Sequence, residues 1–213
     1  MDETWRDFRK QYGRRTLDES QVGSDPISLL EEWIAGALTA GCPEPTAMVL
    51  STVAAEGRPS SRVVLMKGLE ASGITFFTNY DSRKGFELTT NPQAALLFFW
   101  PEEERQVRVE GDVARISQGE SDAYFRSRPP ESRLSAIVSP QSREIPGCEW
   151  LQQQRKLKKN LTAASLGDRP GNWGGFRLHP NYFEFWQGRE DRLHDRIVFQ
   201  KKDATWCISR LAP

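Results

Sequence analysis

The chain has 213 residues, 38% hydrophobic and 27% charged, with lysine plus arginine and aspartate plus glutamate at 29 each, so its formal net charge is zero. That composition belongs to a globular chain able to bury a core, not to a disordered one. The even charge balance speaks against a protein that coats nucleic acid.

The N-terminal "MDETWRDFRKQYGRR" lacks the apolar core of a signal peptide. The longest apolar run, "AALLFFW", is strand length and far short of the ~20 residues that span a bilayer. Cys42, Cys148 and Cys207 are too few and too scattered for a disulfide framework or a zinc site. A soluble cytoplasmic protein without a metal, a membrane or a nucleic-acid partner is expected.

Residues 1–25 are polar and aromatic with little periodicity, which predicts an arm that is mobile or docks elsewhere. Asp25–Pro26 reads as an N-cap with proline in the first turn, Leu30, Trp33, Ile34, Ala37 and Leu38 recur at helical spacing, and Gly41 ends the element. From 46 to 116 the segments "TAMVLSTVA", "SSRVVLMKG", "GITFFTN", "AALLFFW" and "RQVRVEGDVARI" are short, β-branched and aromatic, with turn residues between them. One short helix is predicted in "DSRKGFELTTNP", capped by Asp81 or Ser82. Ser117 and Glu120 form a capping box for the helix carrying "SDAYFRSR", which stops at Pro129–Pro130. Further helices start near Glu131 and in "CEWLQQQRKLKKNL". After "GDRPGNWGG" the strands return as "FRLHPNYFEFWQ", "RLHDRIVFQ" and "TWCISRL", with a hairpin at "GRED" and His179 in a turn before Pro180. The sum is an α+β, mainly β chain: an antiparallel barrel with peripheral helices. Residues 26–213 form its one domain behind the arm, and a hairpin region over about 171–213 closes it.

Four clusters can carry chemistry. In a strand, Arg192, His194 and Arg196 share a face, and Trp186 lies across the hairpin. Two guanidinium groups, an imidazole and an indole suit a planar anion. A solvated face neutralised by Glu190, Asp191 and Asp195 reads equally well. Arg62 and Lys67 bracket an apolar strand, and their odd separation puts them on opposite faces, so each can be only a strand-end charge. Ser82, Arg83 and Lys84 fall at a helix N-terminus, where backbone N–H groups favour an anion; two solvated bases in a loop are the plainer reading. Tyr124 and Arg128 share a helix face, and Ser132 follows in the first turn of the next helix. That pattern is also a simple helix–turn–helix corner. Three anion-ready places in a neutral chain favour phosphorylated small molecules. No G-x-G-x-x-G, Walker loop, G-x-S-x-G or H-E-x-x-H occurs.

Taken in order, "RVVLMK", "FFTNYDSRKG", "ERQVRVEG", "YFRSRP", "SPQS", "WGGF", "EFWQG", "RLHDR" and "RLAP" resemble the pyridoxine (pyridoxamine) 5′-phosphate oxidase family over nearly the whole chain. The resemblance implies an FMN-binding split barrel and a homodimer with FMN at the subunit interface. It further implies oxidation of pyridoxine 5′-phosphate or pyridoxamine 5′-phosphate to pyridoxal 5′-phosphate by molecular oxygen, with hydrogen peroxide and, from the amine, ammonia as products. By motif, Arg62, Val63, Lys67, Phe77, Thr78, Arg83, Lys84, Gln106, Gln141, Ser142, Trp186 and Arg196 would hold FMN. Lys67, Tyr124, Arg128 and Ser132 would hold the substrate phosphate. Arg192 and His194 would act over its ring as the catalytic pair, and Arg9 and Tyr12 in "RKQY" would fold over it as a lid. An oxidase of phenazine biosynthesis resembles the same barrel and keeps "EFW" and "RLH". Such proteins tend to lose the lysine at the position of Lys67 and the "YFRSRP" grip, both of which stand here. A non-catalytic flavin or pyridoxal phosphate carrier of the same fold is the alternative of another class.

Overall fold

The computed structural model describes residues 11–158 and 168–213. Nine strands and five α-helices occur among them, so the expectation of an α+β, mainly β chain holds. The strands are hydrogen-bonded in the order β2 (Pro59–Leu65), β1 (Ala47–Val53), β5 (Gln93–Trp100), β6 (Arg105–Arg115), β7 (Trp173–Gln187), β4 (Gly73–Asn79), β3 (Gly68–Glu70). In addition β8 (Asp195–Lys202) pairs with β7, and β9 (Thr205–Arg210) with β8. The β3–β4, β4–β7, β7–β8 and β8–β9 pairings are all antiparallel. No described helix is long and apolar enough to cross a membrane.

The chain makes two compact units. The first holds the described residues up to Val49 together with Ala95–Glu110 and Pro180–Pro213. Its helix α1 (Pro26–Thr39) starts where Asp25 accepts from the Ile27 and Ser28 amides, and Gly41 follows it at φ +78°, a left-handed position that glycine takes without strain. Trp33 of α1 packs edge-on to Phe185 of β7 at 5.1 Å, and Phe185 meets Phe199 of β8 at 5.7 Å. The arm is docked, not free, over its described part. Leu17 and Val22 are buried, and the Leu17 amide donates to the Asp195 carboxylate at 3.0 Å.

The second unit holds Leu50–Ala94 and the described part of Gly111–His179. Here α2 (Arg83–Thr90) is capped by Ser82, not Asp81. The capping box of Ser117 and Glu120 starts α3 (Gln118–Ser127), and Pro130 begins α4 (Pro130–Val138). Helix α5 (Cys148–Leu157) follows. Phe76 stacks on Phe176 at 5.9 Å between β4 and β7.

His179 is not in a turn, because β7 runs straight through His179–Pro180. The β4 ladder ends at Leu178 and the β8 ladder begins at Tyr182. Proline, which has no N–H to donate, falls in the gap between those two ladders.

Candidate active site

The second unit contains a cavity of about 600 Å³, within the range of small-molecule sites. Four cations line it, Arg62, Lys67, Lys84 and Arg128, and no aspartate or glutamate does. Arg62 and Lys67 were expected on opposite strand faces, yet both reach this cavity. The reason is local: β2 ends at Leu65, strict alternation stops, and the Lys67 amide is already bonded to the Thr75 carbonyl at 2.8 Å.

Each cation is held differently. Arg62 spends its terminal N–H groups on the protein: Nη1 donates to the Leu50 carbonyl at 3.2 Å and Thr52 Oγ1 at 2.5 Å, Nη2 to Ser60 Oγ at 2.5 Å and Glu87 Oε2 at 3.2 Å. Glu87 is buried, and burial alone would push its carboxyl up. Hydrogen bonds from Thr52, Ser60, Arg83 and Arg62 outweigh that and pull it to about 2. Lys84 Nζ lies 3.1 Å from Thr78 Oγ1, 3.4 Å from Ser82 Oγ and 3.4 Å from Gln141 Oε1, all uncharged. Burial, then the Arg62 charge, push its ammonium below the usual lysine value. A buried lysine beside an arginine with only neutral acceptors in reach is a place for an anion.

Arg128 caps the C-terminus of α3, with its guanidinium 4.6 Å from the Trp173 ring centroid. Its Nη1 is buried and has no hydrogen-bond partner among the described residues. Tyr124, one turn earlier, stacks on Phe77 at 3.8 Å, and Phe77 on Trp173 at 5.5 Å. Val63, Phe77, Thr78 and Gln141, which the resemblance names as cofactor contacts, also line the cavity. Arg83, Ser132 and Ser142 do not. Arg83 is turned to Glu87 at 2.8 Å, Ser132 lies in the first turn of α4, and Ser142 is exposed with φ 69°. Sequence reasoning missed Ser135, Ala136 and Ser139, which line the wall from α4 and its end. Small residues three and four apart on one helix face were the available signal.

The first unit holds the other constellation. Trp186 of β7 stands opposite Arg196 of β8, as the hairpin reading required. Arg192, His194 and Arg196 do not share a strand face, however. Strand β8 begins only at Asp195, and Glu190–Arg192 form a single 3₁₀ turn with Asp191 at φ 54° and Arg192 at φ 62°. Two left-handed residues in succession reverse the chain, so the alternation that defines a strand face is absent there. Arg192 is exposed and has no ion pair with any described residue. The His194 ring lies 4.7 Å from Trp186 and 5.8 Å from Tyr12, and Tyr12 is 5.7 Å from Trp186. The Arg189 amide donates to His194 Nδ1 at 3.1 Å, which puts the ring proton on Nε2. Burial, then the Arg192 charge, push the imidazole below its usual value, against a smaller opposite pull from Asp195.

The acids expected to neutralise this face act otherwise. Asp195 takes Arg189 at 2.9 Å and Arg210 at 2.7 Å, while Arg196 is paired by the buried Glu184 at 2.8 Å. Gln106 is half-buried on β6. Arg9 lies outside the described residues.

Residues 34–156 match a family model described as pyridoxamine 5′-phosphate oxidase, and residues 173–213 one described as the pyridoxine 5′-phosphate oxidase C-terminal dimerisation region. A pyridoxine/pyridoxamine 5′-phosphate oxidase of Cupriavidus pinatubonensis is 51% identical over 208 residues, covering 97% of this chain and 98% of that one. One from Burkholderia orbicola is 49% identical over 99% of both chains. Among solved structures, PhzG of Burkholderia lata, in complex with tetrahydrophenazine-1-carboxylic acid, is 30% identical with a TM-score of 0.88, over 96% of this chain and all of that one. A pyridoxamine 5′-phosphate oxidase-related, FMN-binding protein of Nostoc punctiforme shares the fold at 19% identity and a TM-score of 0.70, over 93% of this chain and all of that one. The expected antiparallel split barrel is thereby the fold of this chain.

Proposed function

The chain belongs to the pyridoxamine 5′-phosphate oxidase family, and from that membership we propose that it is a cytoplasmic, homodimeric enzyme that binds FMN and oxidises pyridoxine 5′-phosphate or pyridoxamine 5′-phosphate to pyridoxal 5′-phosphate. Molecular oxygen is the final acceptor, with hydrogen peroxide as product and ammonia released from the amine. The match of residues 173–213 to a dimerisation region supports the homodimer.

The residues present fit a phosphorylated flavin and a phosphorylated substrate. A cavity with four cations and no acid has room for two anionic groups. Arg62, Lys84, Thr78 and Gln141, with Val63 and Phe77, hold FMN there, and by motif Arg83, Ser142, Gln106, Trp186 and Arg196 are assigned to FMN as well. FMN, when bound, supplies the two-electron acceptor that no side chain provides.

The protein's own part is binding, orientation and charge. Lys67, Tyr124, Arg128 and Ser132 grip the substrate phosphate, which fixes the ring's place in the site. Arg192 and His194 lie over that ring. The neutral His194, donating from Nε2, and the Arg192 guanidinium, which has no ion pair among the described residues, hydrogen-bond to the substrate and orient its reacting carbon. Tyr12, packed against Trp186 and His194, is assigned the role of a lid that excludes water, together with Arg9, which lies outside the described residues.

The observation that carries the reading is the buried Arg128 Nη1, a charged donor without an acceptor among the described residues at the wall of the cationic cavity. It calls for an anionic group, phosphate or carboxylate; Lys67, the "YFRSRP" motif and the relatives of about 50% identity are what favour the vitamin B6 phosphates over a phenazine precursor. The test is one anaerobic absorbance experiment. Flavin absorbance should bleach on adding pyridoxine 5′-phosphate and return with air as peroxide forms. Flavin that stays oxidised would leave a carrier or an oxidase of another substrate, and a protein that takes up no FMN would overturn the reading.

A further inference from the structure

Gln106, Trp186 and Arg196 come from β6, β7 and β8, adjacent strands of the first unit. At the centre of the face they share is Glu184, only 2% exposed. One of its carboxylate oxygens accepts from Arg196 Nε at 2.8 Å. The other accepts from Arg108 Nη1 and Tyr182 Oη, each at 3.1 Å. Glu184 therefore ties a β6 arginine to a β8 arginine from the strand between them. Arg108 is itself held by Glu110 at 2.5 Å, so the carboxylate is braced on the side away from Arg196.

Arg196 has a second anchor, Nη1 to the Ala212 carbonyl at 2.8 Å. The two contacts fix the plane of its guanidinium and leave Nη2 without an acceptor among the described residues. A buried carboxylate is a costly way to pack a sheet, since well-packed apolar residues serve packing at least as well. Its use here points to orientation. Burial pushes the Glu184 carboxyl up, but the hydrogen bond from Arg196, the charges of Arg196 and Arg108 and the Tyr182 hydroxyl together outweigh it and hold the carboxyl below its usual value.

We propose that Glu184 is the positioning residue for Arg196: its carboxylate, braced by Arg108, sets the guanidinium in the one orientation that presents Nη2 to the flavin. The proposal rests on the reading of Arg196 as a flavin contact. It assigns Glu184 a role in cofactor affinity without contact to the cofactor.

The test is a double-mutant cycle on FMN affinity, read by quenching of flavin fluorescence on titration into the full-length apoprotein, with Tm measured alongside. Glu184→Gln should weaken FMN about tenfold, the worth of a charge-assisted hydrogen bond, and Arg196→Gln at least as much. The double variant should bind no more weakly than Arg196→Gln alone, because Glu184 acts only through Arg196. A role confined to stability would lower Tm without this coupling. Unchanged FMN affinity in Glu184→Gln beside a weakened Arg196→Gln overturns the proposal, as do losses that multiply in the double variant. Normal affinity in Arg196→Gln instead overturns the reading of Arg196, and the proposal with it. If Glu184→Gln does not fold, Glu184→Asp carries the same comparison: it keeps the charge, shortens the reach by one methylene, and should lose affinity severalfold.

Discussion

Glu87 Oε2 stands 3.2 Å from Arg62 Nη2, a buried carboxylate behind one of the cations that line the cavity. Thr52 and Ser60 donate to the same oxygen and Arg83 to the other, so four donors from β1, β2 and α2 converge on one side chain. Its carboxyl, near 4.5 when unfolded, is held at about 2 in the fold. A depressed carboxylate contributes stability above its unfolded value and loses it as pH falls through the folded one. Glu87→Gln should therefore be less stable than the parent by about 2 kcal/mol at neutral pH, a figure discounted for the solvent around Arg83. The gap should close between about pH 5 and pH 2. Tm measured against pH for both proteins checks this, and a gap that is constant down to pH 2 would contradict it.

Gly85 permits the tight start of α2. A Cβ there would lie 2.1 Å from the Tyr80 carbonyl oxygen and 2.6 Å from its carbon, both backbone atoms that have no rotamer to escape by. Gly85→Ala should cost about 3 kcal/mol and should weaken FMN as well, because the displaced turn carries Ser82 and Lys84. Thermal unfolding and a flavin titration read the two effects. A variant with the parental Tm would mean that the turn opens at no cost.

His194 should titrate below the ordinary histidine value of 6.5, because burial and the Arg192 charge both disfavour the imidazolium. The Arg189 amide also needs the Nδ1 lone pair, and the facing Tyr12 and Trp186 rings bring no charge. With only two histidines in the chain, a nitrogen-15 titration by NMR resolves each. Arg192→Gln should move the His194 midpoint upward. A midpoint at or above 6.5 in the parent would remove the neutral imidazole from the mechanism.

Where the backbone keeps one period, the residues could be read from the sequence. The alternation of β1, the cap and Gly41 of α1, and the capping box of α3 are local patterns, and the structure repeats them. The failures fall where the backbone period and its usual glycine and proline markers part company. Asp191 and Arg192 take left-handed backbone that periodicity cannot foresee for non-glycine residues, so a strand face was read where a turn stands. Lys67 follows the end of β2, and counting from Arg62 put it on the wrong side. Pro180 marked a break that did not occur, since only the pairing partners of β7 reveal the gap in which it sits. Of the candidate site, the cations came from motif and charge. Glu87 and Glu184, the buried acids that fix two of them, are defined by contacts across strands and are silent in the linear pattern.

Lys67 and Arg192 should separate in kinetics if, as proposed, they meet different parts of the substrate. Lys67 lines the cationic cavity, and on the proposed function it would grip a phosphate that keeps its charge throughout the reaction, a contribution equal in ground and transition states. Lys67→Ala should raise KM tenfold or more, about 1.4 kcal/mol of uniform binding, with kcat little changed. Arg192, exposed on its left-handed turn and without an ion pair among the described residues, is available to orient the reacting group. Arg192→Ala should lower kcat by about a hundredfold, the scale of one misplaced reacting group, while FMN stays bound. Steady-state rates for both variants, with bound flavin measured by absorbance, test the pair together. A Lys67→Ala enzyme with unaltered KM would take Lys67 out of the phosphate site, and a fully active Arg192→Ala enzyme would take Arg192 out of the chemistry.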